Sequence, residues 1–444
     1  MLVFELPTTG SVSFQDIIID PSSAYGARLD GASSARASVR AILKESKRSG
    51  DRDFLKVLKV LDDYLPHLYA VIACIESGDL VLRNPAPAFS WRSTLSSNVF
   101  NNSPRHNFYG FQSELAFVLL TYAFSLSNTA ANEVKSLGAY ERERHSPADE
   151  LEAKGKRLNL AVSLLTRSSG VFSHIADTVL VALSKESDRG KSNPSVADLN
   201  KSVIQALSKL VLADAQMLAV RKLLSKSAAD AAFSPGPPLP SSHPKPSLLA
   251  KLLVEVSSWY QSATGMLNPG SGSKLSGRVG NGEAEVSADL RMYVKNESSF
   301  AKALVHKWSG VDRGESGKPG EAIAYLSWAI EELDEAKDHS RKIPTIAPQD
   351  KDRANRKERI ADELAIVALF LDTYKQENNT IHFQKVPSRA ELSQFMSGSA
   401  VVEPKPFTPT PLAPQTAGLP GDREDEKGKG IATNANYEGA GAYF

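Results

Sequence analysis

From Phe108 to Val134 the chain reads FYGFQSELAFVLLTYAFSLSNTAANEV, a run that would be apolar on nearly every face of the helix it forms. A helix of that kind cannot sit on a surface, so its neighbours must cover it from two sides. The later run KGKRLNLAVSLLTRSSGVFSHIADTVLVALSKES makes a long partner with an equally wide apolar face. Two such helices in succession place the chain in the all-α class, as an array of stacked helices whose central members are these two.

The flanking segments fit the same array. ASVRAILKESKRSG and DFLKVLKVLDDYLPHLYAVIACIESG put Ile42, Leu43, Phe54, Leu58, Leu61, Leu65, Leu68 and Ile72 at three- and four-residue spacings. That pattern predicts two helices divided at Gly50, with Pro66 bending the second. Asn193-Pro194-Ser195 is read as the start of the next helix, VADLNKSVIQALSKLVLADAQMLAVRKLLSKSAADAAF, which ends at the Pro-rich break Ser234 to Pro246. SLLAKLLVEVSSWYQSATGML follows, then a Gly/Ser-rich loop from Asn268 to Gly282 and three further helices. GEAIAYLSWAIEEL has the spacing of a helix in a tetratricopeptide-like hairpin, but no repeat of fixed period is sustained. The reading is an elongated, irregular helical solenoid.

Two stretches stand apart from this pattern. LVFELP and SVSFQDIII, around the turn at Thr8 to Gly10, are β-branched and aromatic enough for a short N-terminal β hairpin or an extended arm. Between Asp79 and Pro104 lies a Pro-, Asn- and Ser-rich connection carrying AFSWRSTL, which is expected to cross the surface and dock Phe89 and Trp91 into the core. Beyond Val386-Pro387 apolar residues thin out. The expected division is a helical domain over 1–403 and a Pro-, Gly- and charge-rich tail over 404–444, too polar to offset its ordering entropy and therefore disordered.

Composition excludes several functions. With 52 Lys and Arg against 51 Asp and Glu the net charge is +1, which gives no overall field to hold nucleic acid or an anionic bilayer. The single cysteine, Cys74, falls in an apolar helical pattern and is expected to be a buried thiol. The N-terminus has no basic region followed by an apolar core, and no stretch reaches about 18 uninterrupted apolar residues. The start is Met-Leu and the end GAYF, so neither myristoylation nor prenylation is signalled. A cytosolic location with indirect membrane association is the expectation.

No chemistry assembles from the remaining residues. The eight histidines are scattered, none in HExxH or a similar spacing, and His174 reads as a helix-packing residue. GVDRGESGKP lacks the GxxxxGK[ST] register, GRVGNGE follows no strand, and LPTTG is a turn. Runs such as EELDEAKDH are solvated helix faces with i, i+4 pairing. The expectation is a non-enzymatic protein without cofactor or metal, whose broad helical surface takes an amphipathic helix into an apolar groove.

FSWRSTL, FYGFQSELAFVLLTYAFSLSNTAA, SSGVFSHIADTVLVALSKE, LVLADAQMLAVRKLL and NNTIHFQKVPSRAEL, in that order, resemble the Bro-one domain family, to which Alix and PalA belong. The resemblance runs from near the N-terminus to about Pro406. It implies a curved helical scaffold around a tetratricopeptide-like core, without enzymatic activity, that binds the C-terminal amphipathic helix of the core ESCRT-III filament subunit. The chain stops soon after this domain, and with its LPTTGSVSF opening it is most similar to the fungal ambient-pH branch of the family. That branch implies an adaptor between the plasma-membrane pH-sensing complex and ESCRT-III, required for proteolytic activation of the transcription factor PacC, and recruited from the cytoplasm to cortical or endosomal ESCRT sites.

Carried over, the family's groove lies along the helix containing LADAQMLAVRKLL, packed beside the helix ending SLSNTAA. This implicates Leu218, Leu223, Leu224 and the Ala232-Phe233 end, with Leu126 or Thr129 nearby. Each of these is equally readable as core, and an exposed apolar stripe would separate the two readings. Two alternatives remain: a general endosomal-sorting Bro-one protein, and a membrane-surface scaffold using RKLLSKS or KDRANRKER.

Overall fold

The computed structural model describes residues 1–50, 53–97, 104–142, 148–187, 191–233, 235–268, 285–339, 350–392 and 397–409. A single-turn helix, α1 (Phe14–Ile17), and a short strand, β1 (Ile18–Ile19), lead into α2 (Gly26–Ser49) and α3 (Phe54–Glu76). Gly50, at φ 64°, takes the left-handed conformation that ends α2. Asp53 caps α3 by accepting from the Lys56 amide. Pro66 lies within α3 and the helix continues through it.

Strands β2 (Val81–Leu82), β3 (Ala88–Arg92) and β4 (Arg105–Tyr109) come next, followed by α4 (Phe111–Leu137), α5 (Ala148–His174) and α6 (Leu180–Ser187). The C-terminal half holds α7 (Lys201–Phe233), α8 (Pro246–Leu267), α9 (Ala288–Glu315), α10 (Pro319–His339) and α11 (Asp350–Glu377). The helices pack serially: α2 on α3, α3 on α4, α4 on α5, α5 on α7, α7 on α8, and so on to α11. As the sequence requires, α4 is covered from two sides, and nearly all of its residues from Phe111 to Ala131 are buried.

Two apolar cores meet along α7. The first runs from the N-terminal arm to the start of α9; the second begins at Val220 and joins α8, α9, α10 and α11. A tight turn at Ser316–Lys318 makes α9 and α10 a helical hairpin, and Gly310 lets α10 approach: a Cβ there would meet Leu326 Cγ at 2.8 Å. This is the hairpin that GEAIAYLSWAIEEL suggested.

Three local readings are corrected, and of the two forms expected for the N-terminus, hairpin or extended arm, it takes the arm, because its polar groups find partners elsewhere. The Phe4 amide and carbonyl bond the Asn128 side chain on α4 at 2.7 and 2.8 Å, Thr9 bridges Trp91, and β1 pairs antiparallel with β2. AFSWRSTL is not a surface crossing throughout: β3 pairs antiparallel with β4, Trp91 opposite His106, and alternation sends Phe89 and Trp91 inward as expected. The apolar helix after α4 is interrupted by a π-helical turn at Ile175–Val179 before α6 continues. Residues 191–196 are not helical; a 3₁₀ turn at Ala197–Leu199 follows, and α7 starts at Lys201 behind Asn200, whose Oδ1 accepts from the Ser202 and Val203 amides.

Residues Pro404–Pro409, assigned to the tail on composition, lie against the helices. The segment 397–409 forms a strap: Ser399 donates to the Lys251 carbonyl (3.1 Å), Val401 to Gln216 Oε1 (3.0 Å) and Lys405 to the Thr166 carbonyl (2.9 Å). The expected disordered remainder, 410–444, and most of the Asn268–Gly282 loop lie outside the described residues.

Candidate functional site

The seam between α5 and α7 closes through small polar side chains at one end. Ser169 and Ser173 both reach Ser208, at 2.9 and 3.0 Å between hydroxyls. At the other end Lys222 Nζ donates to Asn159 Oδ1 across the seam at 2.5 Å. Beside Asn159, Leu160 is 37% exposed, an apolar side chain on an otherwise polar outer face. Arg221 fixes this end of α7 to the α4–α5 connection, bonding both Glu141 carboxylate oxygens at 2.8 Å and the Gly138 carbonyl.

The rim is charged but largely neutralised. Lys154 pairs with Glu150, Lys156 with Glu152, and Arg157 with Glu133 on α4, each at 2.8 Å. The hydrogen bond and charge of Lys156 hold the Glu152 carboxyl below its ordinary pKa. Leu160 lies on the α4 side of α5, the side of Arg157 and Arg167, which bond Glu133 and Tyr122 of α4.

The residues carried over from the family separate in the structure. Leu126 and Thr129 are buried in α4, where the Thr129 hydroxyl bonds the Ser125 carbonyl, and Leu218 is buried in the first core. Leu223 and Leu224 are half-buried and lean on the second core. Ala232 and Phe233 belong to the last turn of α7, and their side chains lie outside the described residues. The two helices expected to form the groove walls are not neighbours in the stacking order, since α4 packs on α5 and α5 on α7. Helix α5 therefore stands between them and supplies Asn159 on its α7 side, with Leu160 exposed on its α4 side, neither of which the sequence reading singled out. A signal for Leu160 existed: Leu158, Ala161, Leu164 and Leu165 make the inward stripe of α5, and Leu160 falls off it.

Further along the same face of α5, Thr166 and Gly170 lie under the strap, with the Lys405 carbonyl against Gly170. The strap ends with the Phe407 ring beside His174 (5.2 Å between centroids) and Tyr122 (6.3 Å). The Tyr69 hydroxyl stands 3.4 Å from His174 Nε2, and burial draws the imidazole pKa below its ordinary value. His174 is thus a packing residue at the start of the π turn. Cys74 is buried, with Arg28 3.3 Å from its sulfur.

Among the described residues one helical stretch, Lys201–Ala228, is long and apolar enough to cross a membrane by length and composition, and most of it is buried against its neighbours. Among the described residues no group of three or more His, Cys, Asp or Glu could hold a metal ion.

Comparison with known proteins agrees with the helical order. The pH-response regulator protein palC of Cryptococcus neoformans is 32% identical over the whole of this chain and 99% of its own length. The palC protein of Emericella nidulans is 25% identical, covering 92% of this chain and 89% of its own. Among solved structures, the ALIX BRO1 CHMP4C complex matches with a TM-score of 0.61 at 18% identity, covering 92% of this chain and 95% of that one. The BRO1-like domain family matches residues 20–426, so the chain is a member of the BRO1-like domain family.

Proposed function

We propose that this chain is a non-catalytic adaptor of a fungal pH-response pathway, acting as a docking platform for ESCRT-III. The observation that carries the reading is the 32% identity with a pH-response regulator over the whole of this chain and 99% of that protein's length. Its place in the pathway would be between the plasma-membrane pH-sensing complex and ESCRT-III, upstream of PacC activation, with recruitment from the cytoplasm and only indirect membrane contact.

The ESCRT-III part of the proposal is supported by the fold shared with a BRO1 domain solved in complex with CHMP4C. The docking position would be the α5–α7 seam, with the half-buried Leu223 and Leu224 on α7 as its apolar contacts and Asn159, bonded to Lys222, on the α5 side. Leu126, Thr129 and Leu218 would shape that surface from beneath, and the Ala232-Phe233 end would extend it.

Calorimetric titration of the full chain with the C-terminal helix of the host's core ESCRT-III subunit tests the docking. Saturable micromolar binding, about −8 kcal/mol, is expected. An absence of heat at millimolar peptide would reject it. The pathway assignment has its own test in a deletion strain, which should fail to grow at alkaline pH and recover with the intact gene. Normal alkaline growth with defective endosomal sorting would make the chain a general sorting protein instead.

A further inference from the structure

Between Asp79 and Glu114 the chain carries three arginines and not one carboxylate, in a sequence whose acids and bases otherwise balance. Two of the three stand directly across the β3–β4 ribbon from each other, Arg92 being the register partner of Arg105. The Ser93 amide donates to the Pro104 carbonyl at 3.2 Å, so the adjoining Arg92–Arg105 position is the narrow kind, at which two side chains leave the same face closest together. Like charges placed in this way oppose strand pairing.

A third guanidinium comes from α2. The N-terminal arm runs beside that helix in the opposite direction: Glu5 pairs with Lys47 at 3.0 Å, while Arg36 donates to the Thr9 hydroxyl and the Gly10 carbonyl. Thr8 therefore lies beside the turn that carries Arg40, four residues beyond Arg36. The arm is also laid along the other edge of β3, where the Arg92 amide donates to the Thr8 carbonyl at 3.0 Å. Arg105 reaches across to the Thr8 hydroxyl at 3.1 Å. Burial, and then the charges of Arg92 and Arg40, draw Arg105 below its ordinary pKa, so the three guanidiniums act on one another. Gly10 keeps the floor of the cluster open: a Cβ there would stand 3.1 Å from Ser90 Cβ and 3.6 Å from Arg105 Nη1.

The surrounding acids are each taken by a different base: Glu114 by Arg36, Glu5 by Lys47 and Glu45 by Lys56. Among the described residues Arg40, Lys44 and Arg105 have no carboxylate partner. Lys44 and Arg48, both exposed, continue the row of Arg36 and Arg40 along α2 at four-residue intervals. We propose that Arg40, Arg92 and Arg105, gathered around Thr8 with Lys44 at the rim, form a binding site for clustered phosphate monoesters, such as an inositol polyphosphate or a phosphoinositide headgroup presents. The site is separate from the α5–α7 seam and does not depend on it. Three guanidinium forks converging from α2, β3 and β4 suit a tetrahedral oxyanion with three free oxygens, whereas one carboxylate offers two in a plane. A bound phosphate would also relieve the repulsion that the narrow Arg92–Arg105 pair imposes on the ribbon.

The test is calorimetric titration of the full chain with inositol hexakisphosphate, beside sedimentation with phosphatidylcholine vesicles, with and without phosphatidylinositol bisphosphate. Support requires saturable binding that falls about tenfold or more in Arg40→Gln and in Arg105→Gln, and by less than about twofold in Lys357→Gln, whose exposed base lies on α11. The ligand should also raise the melting temperature of the parent and leave that of Arg105→Gln unchanged. Sedimentation with the phosphoinositide vesicles only, lost in the same variants, names a lipid headgroup as the source; soluble binding without sedimentation names a free polyphosphate. The proposal is overturned by the absence of saturable binding, by parental affinity in either arginine variant, or by an equal loss in Lys357→Gln, which would show that bulk charge alone is read. Should Arg105→Gln fail to fold, Arg40→Gln decides, because the Arg40 side chain has no carboxylate to lose.

Discussion

Arg36 and Glu114 form an ion pair from which water is excluded: Nε and Oε1 are 2.8 Å apart, and the side chains are 1% and 0% exposed. The pair survives burial because its remaining hydrogen-bonding capacity is filled. Glu114 also accepts from the Tyr64 hydroxyl (3.1 Å) and the Trp91 indole (2.6 Å), while Arg36 donates to the Gly10 carbonyl and the Thr9 hydroxyl. One carboxylate thus ties α2, α3, β3, α4 and the N-terminal arm together.

Removing one member leaves the other charged and unpaired in the core. Glu114→Ala should therefore cost about 3–5 kcal/mol in denaturant unfolding. Arg36→Met combined with Glu114→Leu should cost clearly less than the sum of the single changes, because no charge is then stranded. Additive losses would show that the two residues act independently.

Asp214 gives the fold a pH dependence. It is buried between Tyr260 (hydroxyl at 2.5 Å) and Tyr293 (3.1 Å), and burial pushes its pKa up to about 6. A carboxyl whose folded pKa lies above its unfolded value stabilises the fold while protonated, and that contribution is lost as pH rises from its ordinary value of 3.8 through about 6. The magnitude is about 3 kcal/mol. Asp214→Asn should remove this decline, so that wild type loses stability relative to the variant between pH 4 and pH 7 in parallel urea titrations. A constant difference across that range would show that Asp214 does not titrate there.

The strap depends on a missing Cβ. One added at Gly170 would lie 1.7 Å from the Lys405 carbonyl oxygen, far inside contact distance. Gly170→Ala should lift the strap and leave the helices folded. Hydrogen exchange at the Ser399, Val401 and Lys405 amides should then accelerate by roughly tenfold or more, while the α4 amides keep their protection. Unchanged exchange would mean that α5 shifts instead.

Leu160 and Leu126 separate surface from core. Leu160→Asp should leave unfolding within about 0.5 kcal/mol of wild type, while Leu223→Asp should weaken the ESCRT-III peptide by about tenfold or more in calorimetry. Leu126→Asp, which buries a lone charge, should destabilise by more than about 4 kcal/mol. In stability Leu223→Asp should lie between them, since Leu223 is half-buried on the second core. Full affinity for the peptide in Leu223→Asp would remove the seam from consideration.

The helical class, the order of helices and the burial of α4 were legible in the sequence because each depends on local periodicity, and one helix face is set by residues three and four apart. Phe89 and Trp91 were placed inward for the same kind of reason, although the strand they lie on was not seen: its partner, RHNFY, is recognisable only by pairing. The α7 start was misplaced because Asn193-Pro194 and Asn200 both carry helix-start chemistry, and tertiary packing chose the second.

The site was less legible, for a related reason. Spacing identifies Leu218, Leu223 and Leu224 as apolar positions of one helix, but whether a leucine faces a neighbour or solvent depends on which helix lies beside it. The stacking order put α5 between α4 and α7, buried Leu126, Thr129 and Leu218, and left Leu160 open. Sequence alone determined an array of amphipathic helices, since hydrophobic periodicity is a local property. Tertiary structure decided which apolar residues of that array are buried, as Leu126 and Leu218 are, and which stay exposed, as Leu160 does, because exposure is settled only when every helix has taken its neighbours.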